Sequence, residues 1–196
     1  VVQGDDASKK EQFGVQIVLS SDASSQDYAS ADSLVGRFST VAVRQTGQGL
    51  KIGKYPIHFH LVGDVAACSV RNCSIRRANI RAIAVHGVTR LRVEWNVVFD
   101  VRGHAIFIED GTETRNVIAH NLVAVVRPIW SLLAVDQSPA AFWIVNPDND
   151  VYGNDKYEDV IDSVDVYAGI ERGPQTGFVH AHVWLTFHHY SQIQIN

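Results

Sequence analysis

The chain has 196 residues, a formal net charge of -4 and a pI of about 6.1, with 46% hydrophobic and 19% charged residues. That balance fits one sizeable folded domain and excludes a disordered chain. It offers no basic stripe for nucleic acid, and no apolar run in the sequence approaches the roughly 18–20 residues of a membrane-spanning helix.

The sequence starts at Val1, contains no methionine and shows no signal peptide, so it is expected to be an excerpt or a processed piece of a longer chain. Residues 1–37 read as an N-terminal flank, part of it an early coil of the repeat that runs through the middle of the chain. Within it Val1–Glu11 is polar, and Ser20–Ser33, rich in Ser, Asp and Ala, reads as a loop. Thr40–Val43 reads as an early copy of one of two elements that then alternate along the chain. Tyr55–His60 (YPIHFH), Arg81–His86 (RAIAVH), Ala105–Glu109 (AIFIE) and Ala141–Val145 (AFWIV) are short β-branched or aromatic runs, the first three bounded by Gly63, Gly87 and Gly111. Between them lie Val70–Ile75, Glu94–Phe99 and Ala119–Ala124, each with an Asn followed by small or apolar residues, and a looser copy at Val151–Asn154.

Strands of four to six residues that recur with a period in the low twenties mark a β-solenoid. Residues 38–154 are therefore expected to form an all-β parallel β-helix, each repeat one coil about 4.8 Å above the last. Asn72, Asn96, Asn121 and Asn154 would stack as an amide ladder at a corner. Residues 155–196 lose the repeat and read as a divergent cap or an unrelated tail. There His180, His182 and Trp184 alternate as in one strand, while His188 and His189 have no assigned place. Cys68 and Cys73 are too few for a disulfide framework and read as two buried thiols. Asn72-Cys73-Ser74 matches the N-glycosylation acceptor pattern.

Successive side chains of a strand face opposite ways, which divides the second set of runs into columns. Ile57, Ile83, Ile106 and Phe142 form one apolar column, and Phe59, Val85, Ile108 and Ile144 another; both are expected inside. The opposite parity then faces out: His58, Ala84, Phe107 and Trp143 in one column, His60, His86, Glu109 and Val145 in the next. Three readings of that face compete. In one, His60, His86 and Glu109, helped by His58, hold a divalent metal ion, calcium or zinc. In another, Glu109, Asp110 and His86 do acid/base work on a glycosidic bond, with Asp64 or Asp136 as further carboxyl groups. In the third, the polar ladder is only a stacking device covered by the Arg127–Pro139 insertion. Asp64 and Asp110 also suit turns through their own backbone bonds, and His104 reads equally as a satisfied corner residue or a ligand.

The runs Lys54–Asp64, Arg81–Gly87, Gly103–Gly111 and Pro139–Pro147 resemble, in order and spacing, the β-helix region of the family of fibrocystin-L, transmembrane protein 2 and the cell-migration-inducing hyaluronidases. The resemblance extends over about Phe38–Asn154. It implies a right-handed, single-stranded parallel β-helix in an extracellular or cell-surface protein. For some relatives it implies hyaluronan binding or depolymerisation, with calcium dependence. The glycine-marked β domain expected before the helix, and the further coils expected after Asn154, have no counterpart in this sequence. The preferred expectation is a module that binds a polysaccharide or other glycoconjugate, such as hyaluronan, through His58, Phe107, Trp143 and Asp64. The rival is a non-catalytic structural segment of a receptor ectodomain.

Overall fold

A computed structural model describes residues 1–20, 34–130, 134–157, 166–170 and 180–185. The chain winds in coils of three strands. The first coil is β1 (Val2–Gln3), β2 (Ile17–Ser20) and β3 (Arg37–Ser39). The second is β4 (Ala42–Arg44), β5 (Ile57–Asp64) and β6 (Ser69–Arg71), and the third β7 (Ser74–Arg76), β8 (Ile83–Thr89) and β9 (Arg92–Glu94). The fourth is β10 (Val97–Arg102), β11 (Ile106–Ile108) and β12 (Val117–Ala119), and the fifth β13 (Leu122–Arg127), β14 (Phe142–Trp143) and β15 (Asp150–Tyr152). β16 (Asp155–Tyr157) joins the same stack, so the parallel sheets run past Asn154.

Every third strand belongs to one sheet: six strands in the order β1-β4-β7-β10-β13-β16, five in the order β2-β5-β8-β11-β14, and five in the order β3-β6-β9-β12-β15. Pairing within each of these sheets is parallel. The architecture is thus all-β, with parallel strands in three sheets, as in a β-helix. Two further strands, β17 (Val166–Ile170) and β18 (His180–Leu185), pair antiparallel with each other. His180, His182 and Trp184 lie in β18; His188, His189 and residues 21–33 of the expected loop fall outside the described residues. The short helix α1 (Asp6–Glu11) sits between β1 and β2, capped by Asp5, which accepts the Ser8 N–H at 2.7 Å.

The core fills the space enclosed by the three sheets. Val43, Ile75, Val98 and Val123 form its column from the first sheet. Phe38, Val70, Val93, Ile118 and Val151 form that of the third. Each fully buried side chain of this size contributes about 1.5–3 kcal/mol. Inward positions must be apolar on every coil, which is why the period is visible in the sequence at all.

The corner between the third sheet and the next coil is a left-handed residue. Thr40, Asn72, Trp95 and His120 have φ between 53° and 58° there, a conformation that costs an L residue roughly 1–2 kcal/mol. The residue after it carries the amide ladder. Asn96 Oδ1 accepts the Cys73 N–H at 3.0 Å, Asn121 Oδ1 accepts the Asn96 N–H at 3.0 Å, and Asn154 Oδ1 accepts the Asn121 N–H at 2.9 Å. Here the structure corrects the expected register. Ser74 pairs with Val97, so Cys73 rather than Asn72 stands beside Asn96. Burial of Ile75 against Val98 sets this pairing, and Asn72 is left exposed in the corner. A second ladder joins Asn116, which accepts the Leu91 N–H at 2.9 Å, to Asn149, which accepts the Asn116 N–H at 3.0 Å.

Candidate functional site

The second sheet carries the chemistry. β5 and β8 pair Ile57 with Ile83, His58 with Ala84, Phe59 with Val85 and His60 with His86. β8 and β11 pair Ile83 with Ile106 and Ala84 with Phe107, and β11 and β14 pair Ile106 with Phe142 and Phe107 with Trp143. The Glu109 N–H donates to the Val85 carbonyl at 3.0 Å, which extends the ladder one residue past β11 and sets Glu109 next to His86. The two apolar columns enter the core, and His58, Ala84, Phe107 and Trp143, with His60, His86 and Glu109, face away from it; Val145, expected in the outward column, lies past the end of β14 and packs against the core.

Facing away from the core does not put the His58 column in solvent. His58 is 2% exposed and Phe107 3%, and only Trp143 in that column is half-exposed. The expectation that Phe107 is presented to a ligand is therefore corrected: a second, smaller apolar cluster of Tyr55, Ile80, Ala84 and Phe107, with Trp143 against it, covers this side. Polar groups are folded into the same layer. Arg81 is fully buried, with its guanidinium 3.6 Å from the Phe107 ring centroid and 4.6 Å from that of Tyr55. It donates to the Tyr55 hydroxyl at 2.6 Å and to both carboxylate oxygens of Asp136 at 3.4 Å. Asp136 thus belongs to the Arg81 ion pair. It arrives on a 3₁₀ turn, Ala134–Gln137, so part of the Arg127–Pro139 insertion closes over this column.

His104 is a satisfied corner residue on one side only. Its Nδ1 accepts the Ala140 N–H at 2.9 Å, so the proton of the neutral ring is on Nε2, 3.8 Å from Asp136 Oδ1. Burial, then the nearby Arg81 charge, pushes its pKa down to about 3.

Beside this covered layer three imidazoles converge. His58, His60 and His86 each bring one ring nitrogen within 4.8 Å of those of the other two. Ring centroids are 5.0 Å apart for His58 and His60, 4.9 Å for His60 and His86, and 6.1 Å for His58 and His86, which lie parallel within 10°. His58 Nδ1 lies 2.9 Å from the Gly53 carbonyl oxygen. A carbonyl only accepts, so Nδ1 carries the proton and Nε2 keeps its lone pair. That Nε2 is buried and has no hydrogen-bond partner. Burial above all pushes the His58 pKa down to about 4, and it lowers that of His60, with the charge of His86 adding to the effect.

Two carboxylates flank His86. Asp110 Oδ2 lies 2.8 Å from Nε2 and Glu109 Oε2 lies 3.7 Å from Nδ1. Burial raises the Glu109 pKa, against the pull of His86 and Arg81. Its Oε2 is buried without a hydrogen-bond partner. The three nitrogens that converge are those of His58, His60 and His86, with Glu109 beside them, so His58 stands in the cluster as a full member and not only as a helper of His60, His86 and Glu109. Asp64 is engaged elsewhere: it takes the Arg90 guanidinium on both oxygens, with Nε at 2.7 Å. Cys68 and Cys73 are buried, unbridged thiols.

Some of the site was outside the reach of sequence reasoning. Gly53 and Arg81 act through backbone and guanidinium contacts that no spacing announces. Buried Glu113, which accepts the Gly87 N–H at 2.8 Å, is another. At the corner between the third and first sheets, Trp95 stacks on His120 at 4.2 Å and His120 meets Tyr152 edge-on at 5.3 Å. The signal for that pair is that Trp95 and His120 each precede a ladder asparagine.

These features define a parallel β-helix with one polar, imidazole-rich face. The chain belongs to the CEMIP beta-helix family, whose model matches residues 28–158. It is similar to fibrocystin-L of Homo sapiens, 44% identical over 125 residues that cover 63% of this chain and 3% of the relative. Fibrocystin-L of Mus musculus is 42% identical over the same extent. The cell surface hyaluronidase CEMIP2 of Homo sapiens is 34% identical over 148 residues, 59% of this chain and 11% of the relative. The chain thus spans only a small part of these relatives. Among the described residues no helix is long and apolar enough to cross a membrane.

Proposed function

We propose that this chain is a right-handed, single-stranded β-helix module of a secreted or cell-surface protein, and that the outward row of its second sheet binds a uronate-containing polysaccharide such as hyaluronan. The observation that carries this reading is the row His60, His86 and Glu109, with Asp110 beside it and Trp143 half-exposed one coil further on. Imidazoles and carboxyl groups pair with sugar hydroxyls, and a half-exposed indole stacks on the apolar face of a sugar ring. Lys51 and Lys54 are exposed on either side of Gly53, on the loop that holds His58, where they favour an anionic polymer. The name of CEMIP2, a cell surface hyaluronidase, supports both the ligand and the location. Buried His58 and Phe107 and ion-paired Asp64 are left out of the contact set.

Chain cleavage is the second reading, and the raised pKa of Glu109 favours it. A carboxyl group whose pKa is raised is shifted in the direction that protonating a glycosidic leaving group requires, with His86 or Asp110 as base. Against it, Glu109 and Asp110 flank a ring of the protein itself rather than an open space for a sugar bond.

Hyaluronan oligosaccharides titrated into the full chain test the proposal, with release of new reducing ends as the readout for cleavage. Saturable binding that Trp143→Ala or His86→Ala weakens supports it. No binding by the parent chain leaves a structural ectodomain segment as the reading, and equal binding by parent and both variants removes this face as the sugar site.

A further inference from the structure

We propose that His58, His60 and His86 form a three-histidine binding site for a divalent transition metal of the zinc class. The site shares His60 and His86 with the proposed sugar-binding row but does not require that the row bind sugar. Its ligand atoms come from two neighbouring coils: β5 supplies His58 and His60, and β8 supplies His86. β5 places two of them two residues apart, yet one is buried and one half-exposed. The backbone becomes left-handed at Leu61 (φ 53°), where the β5–β8 register shifts. The three nitrogens already lie within 4.8 Å of one another. Zinc–imidazole bonds of about 2.0–2.1 Å place ligand nitrogens about 3.4 Å apart on a tetrahedron, so each ring moves inward by at most about 0.8 Å.

Two features outside the cluster point to a cation. The first is His58 Nε2, a buried lone pair with no hydrogen-bond partner, on a ring whose Nδ1 proton is fixed by the Gly53 carbonyl. Metal-bound histidines show this arrangement, with the second nitrogen donating to a carbonyl or carboxylate. With a neutral ring His86 repeats it: Asp110 Oδ2, 2.8 Å from Nε2, takes the proton there and leaves Nδ1 as the lone-pair nitrogen. The second is Glu109 Oε2, also buried and without a hydrogen-bond partner, 3.7 Å from His86 Nδ1. That separation is close to a tetrahedral edge, so the carboxylate stands where it can complete the site or hold a bound water. Imidazoles with a free lone pair in a desolvated pocket are what such a metal requires, and His58 Nε2 provides one. Three imidazoles and one carboxylate suit zinc, cobalt or nickel. Calcium takes six to eight oxygens, which this set does not supply.

The experiment uses the full chain, stripped with a chelator and titrated with Zn²⁺ in a calorimeter and with Co²⁺ in a spectrophotometer. The expected result is about one equivalent of either metal per chain, visible Co²⁺ bands of a nitrogen-rich low-coordinate site, and no matching uptake of Ca²⁺. His60→Asn and His86→Asn, both at half-exposed positions, are expected to weaken Zn²⁺ binding at least tenfold. Circular dichroism confirms that each variant is folded, and His58→Asn is interpreted only if it passes the same check. Failure of the parent to take up metal overturns the proposal. So does unchanged uptake by the folded His60→Asn, His86→Asn double variant, which would place the metal on histidines elsewhere, among them His180, His182, His188 and His189. Hyaluronan binding measured on the same samples separates the two readings: zinc uptake without sugar binding retains this site and removes the polysaccharide.

Discussion

The imidazole of His58 is held by the backbone of Gly53, with Nδ1 2.9 Å from the carbonyl oxygen. The bond selects one tautomer of a ring that is 2% exposed. Long-range proton–nitrogen NMR on metal-free protein should show His58 as the neutral Nδ1–H form at neutral pH. The Nε2–H form would mean that the loop carrying Lys51, Gly53 and Lys54 does not organise the cluster.

The two corner asparagines that the sequence makes look alike should behave differently. Asn96 is buried; its side chain accepts from Cys73 N–H and donates to the Val70 carbonyl and to Asn121 Oδ1, both at 2.9 Å. Asn96→Ala strands the buried Cys73 N–H and takes a donor from the Val70 carbonyl, while Asn121 Oδ1 keeps the Asn96 backbone N–H, at a cost of about 1–3 kcal/mol. Asn72 is exposed but left-handed (φ 53°), a conformation that Asn tolerates better than Gln, so Asn72→Gln should cost only up to about 1 kcal/mol. Urea unfolding of both variants measures the contrast. In protein secreted from eukaryotic cells, Asn72→Gln should also abolish a mass shift removable by an N-glycosidase. Retention of that shift would remove Asn72 as the glycan site.

What was legible in the sequence was what repeats. Ile57, Ile83, Ile106 and Phe142 occupy equivalent inward positions, and an inward position must be apolar on every coil, so alternation alone aligned them. The same alignment set His60 opposite His86. It failed at Asn72 because coil lengths differ: 23 residues separate Cys73 from Asn96, and 25 separate Asn96 from Asn121. A fixed beat counted from asparagines slips where a cysteine stands in the ladder. Alternation also tells only which side of a sheet a residue faces, not what covers that side. Phe107 faces away from the core and is buried all the same, because Arg81, Tyr55 and the turn bearing Asp136 lie over it.

His104 makes the fold sensitive to acid. Its pKa is about 3 when folded, against an ordinary value of 6.5. A depressed native pKa means that the unfolded chain binds more protons below pH 6.5, so stability is lost as pH falls from there toward 3. Arg81 and Asp136 are the charged groups that face the ring. In His104→Asn the side-chain oxygen can still accept the Ala140 N–H without titrating. Between pH 7 and pH 5 the parent should lose about 2 kcal/mol more than this variant in urea unfolding. Parallel pH profiles for the two proteins would show that His104 is not kept neutral.

The Arg81–Asp136 pair tests whether the covered layer is held by charge or by packing. Both side chains are at most 1% exposed. Asp136→Ala leaves a buried guanidinium without its carboxylate and should cost about 3–5 kcal/mol. Adding Arg81→Met removes the stranded charge and keeps an unbranched apolar chain against Phe107 and Tyr55. The double variant should therefore be more stable than Asp136→Ala alone, even though the Tyr55 hydroxyl loses its 2.6 Å donor. If the second substitution instead lowers stability further, the guanidinium contributes mainly through the two rings it lies against at 3.6 and 4.6 Å. The covered layer would then be held by Arg81 stacking on Tyr55 and Phe107 and not by the ion pair.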